Sequence, residues 1–312
     1  MPDALLVDTV ISVSRQVGKV FIVDNSSIFE SKEVLQAIKL SCRDEQNCRV
    51  VIIENGENLG VGAAVNMGIK AAKAEGFTFV FLLDQDSIVP DNIVNNLITT
   101  YQQLEDIVPI GILAPENKGL CDNCHSLQLQ NPKSRNPLSE LAMKFKSIND
   151  LVVGGTKIVE VSSTILSGML VRTSLFDVIG YFREDFFVGS EDTEFCFRLR
   201  KKGFKVMMTS SGFIRHRLGD ELTNGDQAKT TLQSWVFPHL PWRHYYIVRN
   251  SLDTARSHFS FFPKEALYLV VSLPIFLLSE VVAYGSFKEK FAYSVRGLID
   301  FLNHRMGKLI YD

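Results

Sequence analysis

Neither sign of charge dominates this chain of 312 residues: 33 lysines and arginines stand against 35 aspartates and glutamates, a net of −2. Without a basic excess there is no electrostatic reason for nucleic acid to be a main partner. Cysteine is scarce and odd in number, five in all, which excludes a small disulfide scaffold and fits a reducing compartment. No basic segment followed by an apolar run opens the sequence, so the cytoplasm is the default location. Long hydrophobic runs are also missing. The longest uncharged stretch near the C-terminus, Ala266 to Ser279, contains Pro274, is followed at once by Glu280, and falls short of the roughly 18–20 residues of a spanning helix. It reads either as a packing helix or as an in-plane segment at a membrane surface, with Lys264, Lys288, Lys290 and Arg296 nearby. What remains, 46% hydrophobic and 22% charged, describes a globular chain long enough for one large domain or two medium ones.

The first 115 residues alternate two kinds of segment. Val20–Val23, Val50–Ile53 and Phe79–Leu83 are short apolar runs, and each ends in a polar turn: Asp24-Asn25-Ser26, Glu54-Asn55-Gly56 and Asp84-Gln85-Asp86. Helical patterns lie over 63–74 and 91–104, the second with Ile93, Val94, Leu97, Ile98, Tyr101 and Leu104 at spacings of three and four. Strands buried on both faces and separated by helices predict an α/β layer fold with a parallel sheet. Ligands in such sheets bind at the carboxyl ends of the strands, where these acids and amides fall. Residues 117–150 read as a long loop, 161–172 as strand-like around Ser167-Gly168, 191–202 as a charged helix capped by Gly203, and 204–209 as a strand.

Three features carry chemistry. Asp84 and Asp86 alternate along an extended segment and so can face one ligand together. Two hard carboxylates suit Mg2+ or Mn2+ held with a phosphate-bearing substrate, although solvated pairs of this kind are common. Glu191-Asp192-x-Glu194 either meets a helix dipole or supplies a general base. His216 is either structural or a third metal ligand. The glycines from Gly56 to Gly68 match neither a dinucleotide fingerprint nor a P-loop, which leaves hydride transfer and kinase chemistry without their phosphate cradle. A nucleotidyltransferase would need a basic Gly-rich loop at its start, and none is present. Cys121-x-x-Cys124 with Cys42 and Cys48 is too irregular for a zinc site.

Taken in order, Val-Asp24-Asn-Ser, Glu-Asn58-Leu-Gly60-x-Gly62-x-Ala-x-Asn66-x-Gly68, Leu-Asp84-Gln-Asp86, Ser167-Gly168, Glu191-Asp192-Thr-Glu-Phe-Cys-x-Arg198 and Pro241-Trp-Arg243-x-Tyr245-Tyr246-x-x-Arg249-Asn250 resemble the inverting family 2 glycosyltransferases, and among them bacterial rhamnosyltransferases of surface polysaccharide. The resemblance implies a GT-A fold, with a mostly parallel central sheet flanked by helices and a C-terminal helical extension. It divides the chain into a transferase domain over 1–235 and an acceptor-side, membrane-proximal region over 236–312. It implies that Asp24 contacts the base of a nucleotide-sugar, that Asn58 helps frame the nucleotide, and that Asp84 lies on the ribose or diphosphate side. Asp86 and His216 would hold a divalent metal, Mg2+ or Mn2+, and Asp192 would be the catalytic base. Ser167 and Gly168 would sit near the donor sugar. Glu191, Arg243, Tyr245 and Arg249 are candidate contacts to the diphosphate or acceptor, with Asn250 as readily structural. The implied reaction moves L-rhamnose from dTDP-L-rhamnose to a lipid-linked glycan on the inner face of the plasma membrane, with peripheral membrane contact, an oligomer left open and no nucleic acid. A UDP-hexose donor, or a non-catalytic nucleotide- or glycan-binding homologue, are the rivals. Family members begin with a strand that lines the nucleotide pocket, whereas this sequence opens in what reads as the following helix, so a central strand is expected to be missing.

Overall fold

The computed structural model describes residues 4–26, 32–41, 49–119, 150–153, 155–216 and 238–310. Helix α1 (Ala4–Ser14) leads to strand β1 (Val20–Asp24), and α2 (Lys32–Ser41) leads to β2 (Val50–Glu54). These two strands pair in parallel, Val20 opposite Val50 through Asp24 opposite Glu54. Then come α3 (Val61–Ala74), β3 (Phe79–Phe81), β4 (Ser87–Ile88), α4 (Ile93–Leu104) and β5 (Ile110–Gly119). Beyond these lie β6 (Asp150–Val153), β7 (Thr156–Glu160), β8 (Leu170–Arg172), α5 (Leu175–Ile179), α6 (Glu191–Lys201) and β9 (Lys205–His216). The chain closes with α7 (Arg243–His258), α8 (Pro263–Tyr284) and α9 (Phe287–Leu302).

The main sheet runs β3-β8-β5-β9-β7-β6, with β4 on the end of β9. Among the described residues parallel pairing is confined to β1 with β2 and β5 with β9; β8 and β7 are antiparallel to their neighbours. Two buried clusters sandwich this sheet. One centres on Phe176, Phe182, Phe195 and Leu199, and the other on Ile93, Leu97, Tyr101 and Leu113. Aromatic rings in the first stack closely, Phe182 on Phe195 at 4.3 Å between centroids.

Several boundaries move from the sequence reading. The strand-like stretch 161–172 is a strand only over Leu170–Arg172, because Gly168 sits at φ +100° and reverses the chain. The strand read over 204–209 continues to His216, paired along β5, and this extension carries the histidine to the sheet's carboxyl end. Residues 117–119, read as the start of a loop, complete β5, while 120–149, including Cys121 and Cys124, lie outside the described residues, as do Cys42 and Cys48. The uncharged stretch from Ala266 is part of a continuous 22-residue helix that runs through Pro274. Cys196 is fully buried, its thiol pushed up to about 12 by burial, and is chemically inert.

β1 and β3 do not pair. Every residue of both strands lines one cavity of about 1380 Å³. Residues of α3, among them Val61, Val65 and Ile69, close it on one side, and Leu6, Val10 and Val13 of α1 with Val94 and Ile98 close it on another. The slot is flanked by two strand edges and by helices, the surroundings a strand of an α/β sheet would have.

Candidate active site

The polar end of the same cavity lies at the carboxyl ends of β1, β2 and β3. There the structure brings together Asp24, Asn58, Asp84, Asp86, Glu191, Asp192, His216 and Arg243, which come from six separate segments of the chain. Each is placed by local geometry. Asp24 closes an Asx turn, its carboxylate accepting from the Ser26 backbone N–H at 2.9 Å. Asn25 donates to the Gly60 carbonyl at 2.8 Å and accepts from Asn55 at 2.7 Å, which ties the ends of β1 and β2 to the loop before α3. Asn58 Oδ1 accepts from the Gly60 N–H at 2.9 Å.

The glycines of this loop serve packing. Gly60, at φ +91°, would place a Cβ 2.6 Å from the Phe187 carbonyl, and Gly62 would place one 2.5 Å from the Arg183 carbonyl. The Val61 N–H, at the start of α3, donates to Phe187 O at 2.7 Å, so a protein carbonyl takes a donor that a phosphate could have used. The segment 183–190 therefore abuts α3 closely and is carried from there into α6.

Asp84 and Asp86 leave β3 on a turn secured from behind. Ser167 and Ser87 hydroxyls are hydrogen-bonded to one another, and Ser87 Oγ lies 3.1 Å from His216 Nδ1. The Gly168 N–H donates to Leu82 O at 2.7 Å. Ser167 and Gly168 thus support the acidic turn from behind and are not among the residues that line the cavity. His216 joins both acids, with Nε2 at 3.7 Å from Asp84 and Nδ1 at 3.1 Å from Asp86. Asp84 is raised to about 6, first by burial and then by Asp86 and Asp192, with His216 opposing.

Glu191 and Asp192 occupy the first turn of α6. Burial, followed by the charge of Asp192, raises Glu191 to about 8, so Glu191 is protonated at neutral pH and Asp192 does not face a second full charge beside it. Burial also raises Asp192, opposed by hydrogen bonds that include Thr193 N–H at 2.6 Å. Arg243, at the start of α7, lowers both Asp84 and Glu191 through its charge.

Tyr245 and Arg249 do not reach the cavity. Tyr245 is buried and donates to Asp300 at 2.8 Å. Arg249, with no exposed surface, donates to Gly307 O at 2.7 Å and Phe186 O at 3.0 Å. Their spacing on α7 turns them toward the protein interior, whereas Arg243 starts the helix at the cavity. Asn250 is structural, donating to the carbonyls of Phe186, Val188 and Gly189. His239 lines the cavity and was not singled out from sequence; its position just ahead of Pro241-Trp-Arg243 was the available signal.

A divalent ion fits this arrangement. Asp86 Oδ1 is buried and makes no hydrogen bond among the described residues, and an imidazole nitrogen lies 3.1 Å from it. Among the described residues no group of three or more histidine, cysteine or acidic side chains is placed to hold a metal ion by itself. A carboxylate and an imidazole, with substrate phosphates and water completing the shell, would suit a divalent ion such as Mn2+.

The chain is similar to known proteins. The dTDP-rhamnosyl transferase RfbF of Shigella flexneri is 27% identical over 235 residues, covering 69% of this chain and 73% of that protein. The low-salt glycan biosynthesis hexosyltransferase Agl10 of Haloferax volcanii is 25% identical over 300 residues, 94% of this chain and 85% of its own length. Among solved structures, a mannosyltransferase from Pyrobaculum calidifontis in complex with GDP-Man and Mn2+ superposes with a TM-score of 0.56 at 14% identity, over 96% of this chain and 83% of that one, a likeness of fold. The structure is therefore a GT-A glycosyltransferase fold with a C-terminal helical region. Residues 4–156, just under half of the chain, match glycosyl transferase family 2, and that segment belongs to the family.

Proposed function

We propose that the protein is an inverting glycosyltransferase that moves L-rhamnose from dTDP-L-rhamnose to a hydroxyl of a lipid-linked glycan. The observation that carries this reading is the convergence of Asp24, Asp84, Asp86, Asp192 and His216 on one cavity at the strand ends. The likeness to a dTDP-rhamnosyl transferase supports the sugar and nucleotide.

Asp24 and Asn58 frame the nucleotide, with Asp84 on its ribose or diphosphate side. Asp86 and His216 would hold a divalent ion, and a bound ion would offset the charge that grows on the leaving diphosphate. Asp192 takes the proton of the acceptor hydroxyl. The oxygen so freed forms its bond to the anomeric carbon as the bond from that carbon to the diphosphate oxygen breaks. A single base and a single displacement invert the anomeric centre. Raised basicity suits Asp192 to this task, and the protonated Glu191 beside it adds no competing charge. Arg243 offsets the negative charge collected at the cavity mouth. The 1–235 region carries the donor site, with 236–312 on the acceptor side.

The test is calorimetric titration with dTDP and UDP, each with and without Mn2+, followed by turnover of dTDP-rhamnose. Metal-dependent binding that favours dTDP is the expected result. Preference for UDP would move the reading to a hexose donor, toward which the hexosyltransferase likeness leans. Nucleotide binding without release of diphosphate would leave a non-catalytic binding protein.

A further inference from the structure

The C-terminal helices present a surface that the proposed chemistry does not use. α8 meets the protein through a thin seam, Ala266, Leu273 and Glu280, one residue in seven. Its far side faces outward: Leu267, Val270, Val271, Ile275, Leu278 and Val282 are 42–67% exposed at helical spacing, with half-buried residues such as Tyr268, Leu269 and Phe276 between this face and the seam. The stripe continues on α9 with Phe287, Phe291, Val295, Leu298 and Leu302. The polar side chains of this stretch of α8 are turned away from a partner. Ser272 and Ser279 donate back to Leu269 O and Phe276 O of their own helix. Glu280 is fully buried, accepting from Lys290 Nζ at 2.8 Å and from the His239 N–H at 2.9 Å, with His244 Nε2 at 3.1 Å. Burial alone would raise its pKa; the bonds from His239, His244 and Lys290 outweigh that and hold it well below the usual carboxylate range.

We propose that the outward faces of α8 and α9 dock this protein in the plane of a lipid bilayer surface that carries anionic headgroups. Two observations select lipid over protein. A protein partner forms about one hydrogen bond per 100–200 Å² of interface, and this stripe offers hydrocarbon only. Hydrocarbon chains ask for no hydrogen bond in return. Cationic and aromatic groups flank the apolar face: Lys264 lies in the first turn of α8 just after Phe261, which Lys201 covers at 4.1 Å, and Phe287 and Lys288 open α9. That pairing matches an anionic interface.

The seam decides the orientation. At 22 residues and roughly 33 Å α8 has the length and apolarity to cross a bilayer. Yet it lies along α7, whose buried His244, Arg249, Asp253 and His258 would be carried into hydrocarbon with it. In-plane docking leaves those groups and the Glu280 cluster intact. Lys290, counted from sequence among cations near the membrane, is 3% exposed and committed to Glu280, so Lys264 and Lys288 carry the headgroup contact.

The experiment is flotation of the full chain with vesicles of phosphatidylcholine alone and with about a third phosphatidylglycerol, which reads no activity and so stands apart from the sugar reading. The wild-type chain is expected to float with the anionic vesicles. Val271→Glu with Leu278→Glu, and independently Leu267→Glu with Val282→Glu, should each weaken binding about tenfold or more with an unchanged circular-dichroism melt, because all four sites are exposed. Lys264→Gln with Lys288→Gln should weaken binding to anionic vesicles alone. Failure to float with either vesicle overturns the proposal, as does flotation that both glutamate pairs leave unchanged. A lipid-free dimer that these substitutions dissociate, with no vesicle binding, assigns the face to a second copy and also overturns it.

Discussion

Glu191 and Asp192 are neighbours on the first turn of α6 with different tasks. Glu191 ordinarily loses its proton near 4.5 and in the fold near 8. Its neutral form is favoured by folding, so that contribution is complete below the unfolded value and is lost as pH rises through the folded one. In metal-free buffer Glu191→Gln should melt higher than the parent at about pH 9, by on the order of 2 kcal/mol, with the two coinciding near about pH 5. Equal melts at both pH values would show that Glu191 is not held neutral. Asp192→Asn tests the base: transfer should fall about a thousandfold or more while calorimetric affinity for dTDP changes less than about threefold. Unchanged turnover would remove Asp192 from the mechanism. A further prediction concerns Asn250, which answers three carbonyls of a segment where Phe187, Gly189 and Ser190 all have positive φ. That segment leads directly into Asp192. Asn250→Ala should therefore lower kcat about tenfold with donor KM nearly unchanged, and cost about 1–3 kcal/mol in a denaturant melt. A melt that falls with kcat intact would make the asparagine structural only.

The short elements show what a sequence can reveal. Val20–Asp24, Val50–Glu54, α3 and α4 were legible because each is a run of apolar residues with its own period and a polar stop. So were Asp24, Asp84 and Asp86, which follow those strands immediately. β8 was not legible as a short antiparallel strand, because its three residues gain meaning only from Gly168, whose Cβ would meet Ile214 at 2.8 Å and Pro115 at 3.1 Å. Nor was the inward turn of Arg249 and Tyr245, which depends on α9 packing over α7. Gly297 makes that packing possible, since a Cβ there would lie 2.4 Å from the Tyr245 carbonyl. Gly297→Ala should push α9 from α7 and destabilise the protein by about 1–3 kcal/mol, with a loss of protection at the amides of 287–302 by hydrogen exchange. An alanine variant as stable as the parent would show that the two helices do not pack as described.

At the scale of the molecule the apolar slot and the acidic site are two ends of one cavity. A cleft of this size, partly open to solvent, departs from the dense packing of a protein interior. Its cost falls on the strands beside it. β1 has a strand partner on one side only, and β1 and β2 form a sheet of their own. They are held to the body by packing of α1 and α3 and by contacts such as the Lys19–Glu75 ion pair and the edge of Phe21 against Phe77. β5, by contrast, is paired on both sides, to β8 and β9, and its residues Ile112, Leu113 and Ala114 have no exposed surface. Asp24 rides on the less supported unit, and Asp84, Asp86 and His216 on the better supported one. The nucleotide end of the site should therefore open sub-globally while the metal end remains folded. Native-state hydrogen exchange on the nucleotide-free chain should show the amides of 20–24 and 50–54 exchanging at least about a hundredfold faster than those of 110–117. If Asp24 reads the base, saturating dTDP with Mn2+ should slow the first set by bridging the two units and leave the second unchanged. Equal protection of both sets in the free protein would mean that the slot closes in solution and that β1 completes a continuous sheet with β3.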